Sequence, residues 1–482
     1  MRWRYILHTI GVLILFFGGT MLIPLAYELF TMDPSLMPLT KAIIATLVCG
    51  VLLVAIFRHE KTETISQREG MAIVAVGWTA IGLFGALPFY FSDASFLFVD
   101  AFFESVSGFT TTGSSILTNI EGLSRGLLLW RSFIQWLGGM GIIVLSIAIL
   151  PFLGVGGMQL YKAEVPSPVP DKLKPRIRDT AMILWKVYAL FTVLEVILLL
   201  AGGMSMFDAL NHAFTTMPTG GFSTKNASVA HFDSVYIDVV ITLFMLMAGI
   251  NFSLHYQLLR GQPMALWKDS ECRFYLAMCV ILTIVVGLNI YRTVYPDPLQ
   301  ALRYAAFQVV SIVTTTGYAT ADYELWPAMS QIIIFWCMFA GASAGSTGGG
   351  MKCLRIMLCF KYSYKELFSM IHPRAVTHIK IGGKTVPEDV VRSVLGFLAL
   401  YMALFSVCTV VLAGIGVDFL TSLGAVAATI GNIGPGFGMV GPVENFAQIP
   451  TMGKWLLAWC MLLGRLEIYT LIILIVPEFW RK

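Results

Sequence analysis

Apolar residues along the chain form long uninterrupted runs that short polar or charged stretches separate. The runs at residues 183–200 and 455–476 are long enough to cross a bilayer, since a spanning helix needs about 20 apolar residues. Other apolar segments, such as residues 299–310, are too short to span and end in a polar turn. The pattern that recurs is a span followed by a short apolar helix, a polar turn and a second span. This pattern predicts a pore-loop hairpin.

The runs predict two N-terminal spans followed by four units of this kind. Predicted spans cover residues 5–30, 39–57, 71–91, 181–201, 236–259, 390–413 and 453–476, and two more begin near Leu127 and Trp326. Predicted short helices cover residues 99–108, 207–216, 299–310 and 418–428. The expected organisation is an N-terminal two-helix appendage at residues 1–69 and four pore repeats at residues 70–178, 179–268, 269–385 and 386–482.

A glycine follows each short helix within a polar turn. The third turn reads Thr-Thr-Thr-Gly-Tyr at residues 314–318, and potassium filters use similar loops whose carbonyl oxygens replace the hydration shell of the ion. The aligned glycines recur roughly every 100 residues, a period longer than that of solenoid repeats; they are Gly113, Gly221, Gly317 and Gly434. Four ordinary turns would not each follow an apolar half-helix.

Non-helical backbone at membrane depth is tolerated only where protein buries it or where it faces water. Four such loops in one chain can share one axial path. We therefore predict an all-α polytopic membrane protein with four concatenated helix–pore loop–helix repeats around one pseudo-fourfold pore, plus two extra N-terminal transmembrane helices. The negative C-terminal end of each short helix would point at that path and favour a cation.

Asp100 and Asp208 stand equally far before Gly113 and Gly221. An aspartate at the start of a helix can accept a hydrogen bond from an unpaired backbone N–H. We therefore expect each of these two residues to cap its short helix.

A continuous glycine-rich stretch interrupts the third repeat at residues 340–352. Each interior glycine costs a helix roughly 1 kcal/mol relative to alanine, so three in a row at residues 348–350 should break it. The break falls where the pore would continue beyond the third turn, which makes it a candidate gate. Close packing of helices through small residues is the alternative, although packing motifs are spaced rather than continuous.

Composition agrees with a membrane protein. The 482 residues are 57% hydrophobic and 12% charged, with a mean hydropathy of +0.78, whereas soluble domains are about half apolar and about a quarter charged. With the N-terminus inside, most lysines and arginines fall on the cytoplasmic side, as the positive-inside rule requires. The eight cysteines form no Cys-x-x-Cys pair, which favours reduced, buried thiols over a zinc site or disulfides.

Two short patterns raise enzymatic alternatives. Residues 341–345 match the G-x-S-x-G elbow around Ser343, but that motif needs a preceding strand and this one lies in an apolar helical stretch. Residues 436–441 match G-x-G-x-x-G, again with no strand before them. We therefore expect no enzyme, no nucleotide site, no bound cofactor and no nucleic-acid partner, and an intramembrane serine hydrolase using Ser343 is the different-class alternative.

The four loops, the glycine-rich break at residues 345–350 and Gly-Arg-Leu-Glu-Ile-Tyr at residues 464–469 resemble the bacterial TrkH potassium transporters. These belong to a superfamily with the Ktr and HKT proteins, and the extra N-terminal pair of spans favours the TrkH branch. The resemblance covers the whole chain. It implies uptake of K⁺, and also of Rb⁺, across the plasma (inner) membrane, with both termini cytoplasmic. A sodium-coupled or sodium-conducting member is the alternative, and the resemblance leaves open whether transport is symport.

The resemblance also implies which residues act. The K⁺-binding filter would consist of Thr111, Thr112, Gly113, Thr219, Gly220, Gly221, Thr315, Thr316, Gly317, Asn432, Ile433 and Gly434. The gate would consist of Gly345, Ser346, Thr347, Gly348, Gly349, Gly350, Lys352 and Arg465. A homodimer and a cytosolic nucleotide-binding regulator of the TrkA type are the implied protein partners.

Arg465 is expected near the middle of the last span, where a charge costs about 2.5–3.5 kcal/mol to insert. Glu467 lies two residues away and so on a different helix face. Arg465 therefore either faces the pore near the gate, where its charge opposes cations, or bridges to an acid on another span such as Glu195.

Overall fold

The computed structural model of the protein describes residues 1–31, 36–58, 66–92, 96–148, 177–375 and 377–480. Its N-terminal appendage consists of the helices Trp3–Thr20, Leu22–Thr31 and Leu36–Ile56. The first and third of these pack closely because glycines face the contact: a Cβ added at Gly11 would lie 2.8 Å from the Cβ of Leu53. The loop predicted around Pro34 lies outside the described residues.

Four units of span, short helix and second helix make up the rest of the fold. We call the short helices the first to fourth pore helix and the helices that follow them the first to fourth inner helix. The outer spans are Gln67–Tyr90, Ile177–Ala201, Ser270–Ile290 and Glu388–Gly414. The pore helices are Phe98–Phe109, Met206–Thr216, Pro298–Val313 and Phe419–Ile430. The inner helices are Arg125–Ala148, Val235–Ala248, Ala328–Ala340 and Thr451–Arg465.

The remaining elements are short or peripheral. Helices Phe252–Leu259, Met264–Lys268, Cys353–Ile371, Tyr469–Ile472 and Pro477–Trp480 follow inner helices or connect units. The 3₁₀ helices are Ser228–Phe232, Tyr323–Leu325, Gly438–Val440 and Phe446–Gln448. Strands Lys380–Ile381 and Lys384–Thr385 form one antiparallel hairpin, with Lys380 opposite Thr385.

Two predicted spans are wrong in their continuity. The span predicted at residues 236–259 bends by 103° between Val235–Ala248 and Phe252–Leu259. The last span, predicted to run from 453 to 476, ends as a regular helix at Arg465, and Glu467 and Ile468 then take positive φ angles of 60° and 45°. Arg465 therefore lies at the end of an inner helix and not in its middle. The predicted end of the first repeat, residues 149–176, lies outside the described residues.

The predicted caps are also wrong for the first two pore helices. Asp100 lies in the first turn of its helix, whose N-cap is Leu97, and its carboxylate instead pairs with Lys454 Nζ at 2.6 Å. In the second pore helix the cap is Ser205, which accepts a hydrogen bond from the Asp208 N–H. Both aspartates still place negative charge at the positive end of a helix dipole, which explains their shared spacing.

Six helices in the described part of the chain are long and apolar enough to cross a membrane, or seven if the bent pair counts as one span. Their outward faces expose large apolar side chains, for example Ile44 at 57% and Val410 at 70%. Such surfaces suit a hydrocarbon solvent, since a soluble protein would bury them. The chain is therefore a multi-pass membrane protein, whose apolar faces contact lipid and whose polar residues cluster around the pore helices.

Candidate functional site

Each pore helix is followed by three residues with the same backbone pattern. We call residues 111–113, 219–221, 315–317 and 432–434 the first to fourth pore loop. The first residue of each loop takes a left-handed conformation although it carries a side chain; these residues are Thr111 (φ 52°), Thr219 (57°), Thr315 (62°) and Asn432 (54°). The third residue of each is a glycine at positive φ: Gly113 (86°), Gly221 (74°), Gly317 (80°) and Gly434 (108°). A non-glycine residue at positive φ is uncommon, so its recurrence at four equivalent positions indicates one conserved loop geometry within the chain.

The same hydrogen bond closes every loop onto its pore helix. In each case the N–H of the middle loop residue donates at 2.8 Å to a carbonyl in the last turn of the helix; the pairs are Thr112–Ser107, Gly220–Thr215, Thr316–Ser311 and Ile433–Ala428. The fourth loop obeys this pattern although its sequence departs most from Thr-x-Gly. By this hydrogen bond, Asn432, Ile433 and Gly434 are the equivalents of Thr111, Thr112 and Gly113.

The four loops form a closed ring. A Cβ added at Gly113 would lie 2.1 Å from the carbonyl oxygen of Gly220 in the second loop. The equivalent distances around the ring are 1.9 Å from Gly221 to Thr316 O, 1.9 Å from Gly317 to Ile433 O, and 2.9 Å from Gly434 to Thr112 O. Each loop thus touches the next and the fourth touches the first. The middle carbonyls lie so close to the neighbouring glycines that a side chain there would displace them.

Side chains also join the fourth loop to the first. Asn432 Nδ2 donates to Thr112 Oγ1 and to the Met461 carbonyl, both at 2.9 Å. Ser114 Oγ donates to the Gly434 carbonyl at 2.9 Å. The bonds to Thr112 and from Ser114 hold the fourth unit against the first, which are the two units at opposite ends of the chain.

A buried ion pair supports the first two loops from behind. Arg131 Nε lies 2.6 Å from Glu104 Oε1, and the two side chains are 2% and 0% exposed. The Arg131 guanidinium also donates to the Ser223 carbonyl at 2.9 Å and lies 3.5 Å from the ring centroid of Phe222. Breaking such a pair from one side costs about 3–5 kcal/mol, because the remaining charge stays buried. Arg131 therefore fixes the position of the backbone just after the second loop.

Gln135, one helical turn after Arg131, holds the second loop itself. Its Nε2 donates to the Gly220 carbonyl at 2.8 Å, and its Oε1 accepts from the Phe222 N–H at 3.2 Å. Gln135 is fully buried. In the first loop, the hydroxyl of the middle residue Thr112 contacts the hydroxyl of Thr110 at 2.7 Å. The middle residue of the second loop is a glycine and has no hydroxyl, so the Gln135 amide supports that loop instead.

The third and fourth units meet beyond the ring. Glu324 Oε1 accepts from the Gly438 N–H at 2.6 Å, and the Tyr323 hydroxyl donates to the Gly436 carbonyl at 2.7 Å. Burial raises the pKa of the Glu324 carboxyl, and the Gly438 N–H lowers it in part. On the opposite side of the third unit, Arg303 pairs with Asp238 at 2.7 Å. These bonds join the third unit to both neighbouring units, through the 3₁₀ helix Tyr323–Leu325 on the fourth-unit side and through the third pore helix on the second-unit side.

The predicted break lies directly against the ring. The third inner helix ends at Ala340, and the next helix begins at Cys353. We call residues 341–352 the glycine-rich loop; most of it is buried, including Thr347 at 0%. Gly341, Gly345 and Gly350 take φ angles near 70°, which only glycine adopts without strain. The sequence therefore breaks the helix through backbone conformation as well as through low helix propensity.

The glycine-rich loop touches three of the four units next to their pore loops. The Gly349 N–H donates to Thr315 Oγ1 at 2.6 Å. Thr347 Oγ1 donates at 2.9 Å to the carbonyl of Met217, two residues before the second pore loop. A Cβ added at Gly349 would lie 2.5 Å from the Gly431 carbonyl of the fourth unit. These contacts place residues 347–349 across the end of the ring at which the pore helices terminate.

Arg465 contacts the glycine-rich loop and not Glu195. Its Nη1 donates to the Thr347 carbonyl at 2.8 Å, and the residue is 3% exposed. No salt bridge joins Arg465 to Glu195 among the described residues. Glu467, which lies beyond the end of this helix, pairs with Arg355 instead. Lys352 Nζ donates to the Gly348 carbonyl within the loop.

The structure thus brings together all twelve predicted filter residues and places the predicted gate residues beside them. Ion binding by these residues stays a prediction. Sequence reasoning missed Glu104, Arg131 and Gln135. The available signal was that two charged residues and one amide stand within apolar helices, where polar groups are costly. Ser343, the hydrolase candidate, is 1% exposed, and its hydroxyl has no hydrogen-bond partner among the described residues.

Comparison with known proteins gives one consistent result. The TrkH family, described as cation transport protein, matches residues 35–482. The Trk system potassium uptake protein TrkH of Salmonella typhimurium is 43% identical to this chain, and that of Escherichia coli K12 is 42% identical; each alignment covers all of both chains. The crystal structure of the potassium transporter TrkH from Vibrio parahaemolyticus matches with a TM-score of 0.92 at 40% identity, again over both whole chains.

Proposed function

This chain belongs to the TrkH family of cation transport proteins, and we propose that it takes up K⁺ through the centre of the ring of pore loops. It is a potassium uptake protein and not an enzyme. The observation that carries the proposed path is the closed ring, in which the glycine of each loop abuts the middle carbonyl of the next. Carbonyl rings of this kind replace the water around K⁺.

The proposed filter consists of the twelve residues of the four pore loops. The ion sheds water at carbonyls of Thr111 and Thr112 and of their equivalents in the other loops. The C-terminal ends of four pore helices converge on the ring, and their partial negative charge lowers the energy of a dehydrated cation there. The four loop glycines have no side chain, and their positive φ angles favour glycine at these positions.

The proposed gate is the glycine-rich loop. Residues 347–349 lie against the ring at the end where the pore helices terminate, and the guanidinium of Arg465 holds Thr347 in that position. In this arrangement backbone fills the path and a positive charge stands beside it. Movement of the loop away from Thr315 would open the path to an ion that leaves the filter.

The membrane orientation and the protein partners are further parts of the proposal. The positive-inside rule supports an inner-membrane protein with cytoplasmic termini, so that the glycine-rich loop lies on the cytoplasmic side of the filter. The relatives are named as parts of a Trk system, which supports a cytosolic regulatory subunit of the TrkA type. A homodimer completes the proposed assembly.

The test is Rb⁺ uptake by the purified protein in liposomes, with Na⁺ as competitor. We expect uptake that Na⁺ inhibits weakly and that K⁺ inhibits strongly. Equal inhibition by the two ions would instead support a sodium-conducting member. Uptake that stays at the level of empty liposomes, both for the wild type and for a variant that lacks residues 347–349, would contradict the proposed path.

A further inference from the structure

Glu271 lies away from the pore loops but contacts both ends of the glycine-rich loop. It is the second residue of the third outer span, Ser270–Ile290, and is 6% exposed. One of its carboxylate oxygens, Oε1, accepts from the Ala344 N–H at 2.7 Å and from the Leu354 N–H at 3.1 Å. The two donors belong to segments on either side of residues 345–353.

The helix that follows the glycine-rich loop needs this carboxylate. Cys353–Ile371 begins after Lys352, which takes a φ of 66° and makes no side-chain capping bond. The first N–H groups of a helix have no partner within it, and the positive end of the helix dipole favours a negative charge. Glu271 therefore supplies from another helix the cap that the local sequence lacks.

The backbone on the other side of the loop is docked on the bend of the second unit. The Ser343 N–H donates to the Gly249 carbonyl at 3.0 Å, and the Phe252 N–H donates to the Gly345 carbonyl at 3.1 Å. Gly249 and Phe252 flank the 103° bend. The Ala344 N–H lies between these two bonds and donates to Glu271, so one carboxylate oxygen ties the docked segment to the start of the next helix.

We propose that Glu271 is a positioning residue that latches the glycine-rich loop in its closed arrangement. The inference rests on the proposed function, in which that loop is the gate. Moving residues 347–349 out of the path requires the segments that carry them to turn or separate, and these segments meet at Glu271. Hydrogen bonds to an ionised acceptor are roughly twice as strong as neutral ones, so this carboxylate outweighs a single backbone contact at the loop tip.

The latch also has a connection to the proposed cytoplasmic surface. Glu271 lies three residues after the end of the short helix Met264–Lys268, in which Met264 is 59% and Trp267 is 64% exposed. A displacement of this short helix moves the start of the Ser270–Ile290 span and with it the carboxylate. The glycine-rich loop is therefore linked to this exposed helix through residues 269–271 and the two hydrogen bonds that Glu271 accepts.

The experiment compares basal Rb⁺ uptake by Glu271→Ala, Glu271→Gln and wild-type protein in liposomes without any regulatory subunit. We expect Glu271→Ala to raise basal uptake by about tenfold or more, since it loses two charge-assisted bonds. Glu271→Gln keeps an acceptor oxygen of the same reach and is expected to lie between the two. Preference for K⁺ over Na⁺ should not change, because the ring is not touched.

Asp269→Asn is the matched control, because Asp269 caps the Ser270–Ile290 helix that carries Glu271, through a 2.7 Å bond from the Cys272 N–H, and its side chain has no hydrogen bond to the glycine-rich loop among the described residues. We expect its uptake to equal that of the wild type. Folded Glu271→Ala or Glu271→Gln protein with wild-type uptake would overturn the latch, as would lower uptake together with a lower melting temperature in both variants. Deletion of residues 347–349 distinguishes a failure of the latch from a failure of the gate. If the deletion raises uptake while both Glu271 variants leave it unchanged, the latch is contradicted and the gate still stands.

Discussion

Arg465, at the end of the fourth inner helix, places a positive charge against residues 347–349, and replacing it with alanine removes that charge. The guanidinium makes a 2.8 Å bond to the Thr347 carbonyl, and its Nε and Nη2 have no partner among the described residues. A hydrogen bond from a charged donor is worth about 1.5–3 kcal/mol. If this bond exists only in the closed state, its loss shifts the ratio of open to closed protein by roughly 10- to 150-fold, at 1.4 kcal/mol per factor of ten.

The change in stability should be small or favourable. A buried charge that lacks partners for part of its hydrogen-bonding capacity is costly, so its removal relieves a penalty as well as losing a bond. The assay is Rb⁺ uptake into liposomes together with the melting temperature of the same purified sample. We expect Arg465→Ala to raise uptake without a large loss of melting temperature.

Lys454→Ala provides the matched control, since Lys454 is a second buried cation on the same helix, 7% exposed, and pairs with Asp100 at the opposite end. Its loss breaks a contact between the fourth and first units and should lower the melting temperature without raising uptake. A lower melting temperature and unchanged uptake in Arg465→Ala would show that Arg465 braces the fold, and the reasoning about the closed state would be refuted.

Three further predictions concern the ring and its surroundings. Gly113→Ser should lower the preference for K⁺ over Na⁺, because its Cβ would lie 2.1 Å from a ring carbonyl, whereas Gly203→Ser has a similar φ of 89° with open space and should leave the preference intact. Deleting residues 347–349 should raise basal Rb⁺ uptake with the ion preference unchanged; wild-type uptake by the folded deletion would favour the packing interpretation. Glu104→Ala should lower stability by about 3–5 kcal/mol in denaturation experiments, since Arg131 stays buried without its carboxylate, and a change below 1 kcal/mol would count against the pair.

The pore loops were predictable from sequence because their constraint is local. Gly317 must follow a half-helix at a fixed distance, and a residue without a Cβ is needed where the next loop approaches. The same constraint recurs in the other three units, so it stands out even in the fourth, where Asn432 and Ile433 replace the usual threonines. The glycine-rich loop was predictable for the same reason, since its glycines are consecutive.

The supporting contacts were not predictable, because they join residues far apart in sequence. Nothing near Glu271 in the chain indicates that it caps a helix that begins at Cys353. Likewise Gln135 and Gly220 belong to different units, and their bond follows only once the units are placed around the ring. The bend at Gly249 and the helix end at Arg465 were missed because both lie within stretches of high average hydropathy, and that average is the same for a straight and a broken helix.

The central claim, that one ion path runs through the ring, is tested most directly by locating Rb⁺ in crystals of the protein through its anomalous scattering. The account predicts anomalous density at the centre of the ring, within coordination distance of backbone carbonyls of the four pore loops. The same crystals in Na⁺ without Rb⁺ serve as the control for peaks from other scatterers. A ring that stays empty in Rb⁺ while a peak forms elsewhere between the helices would contradict the account.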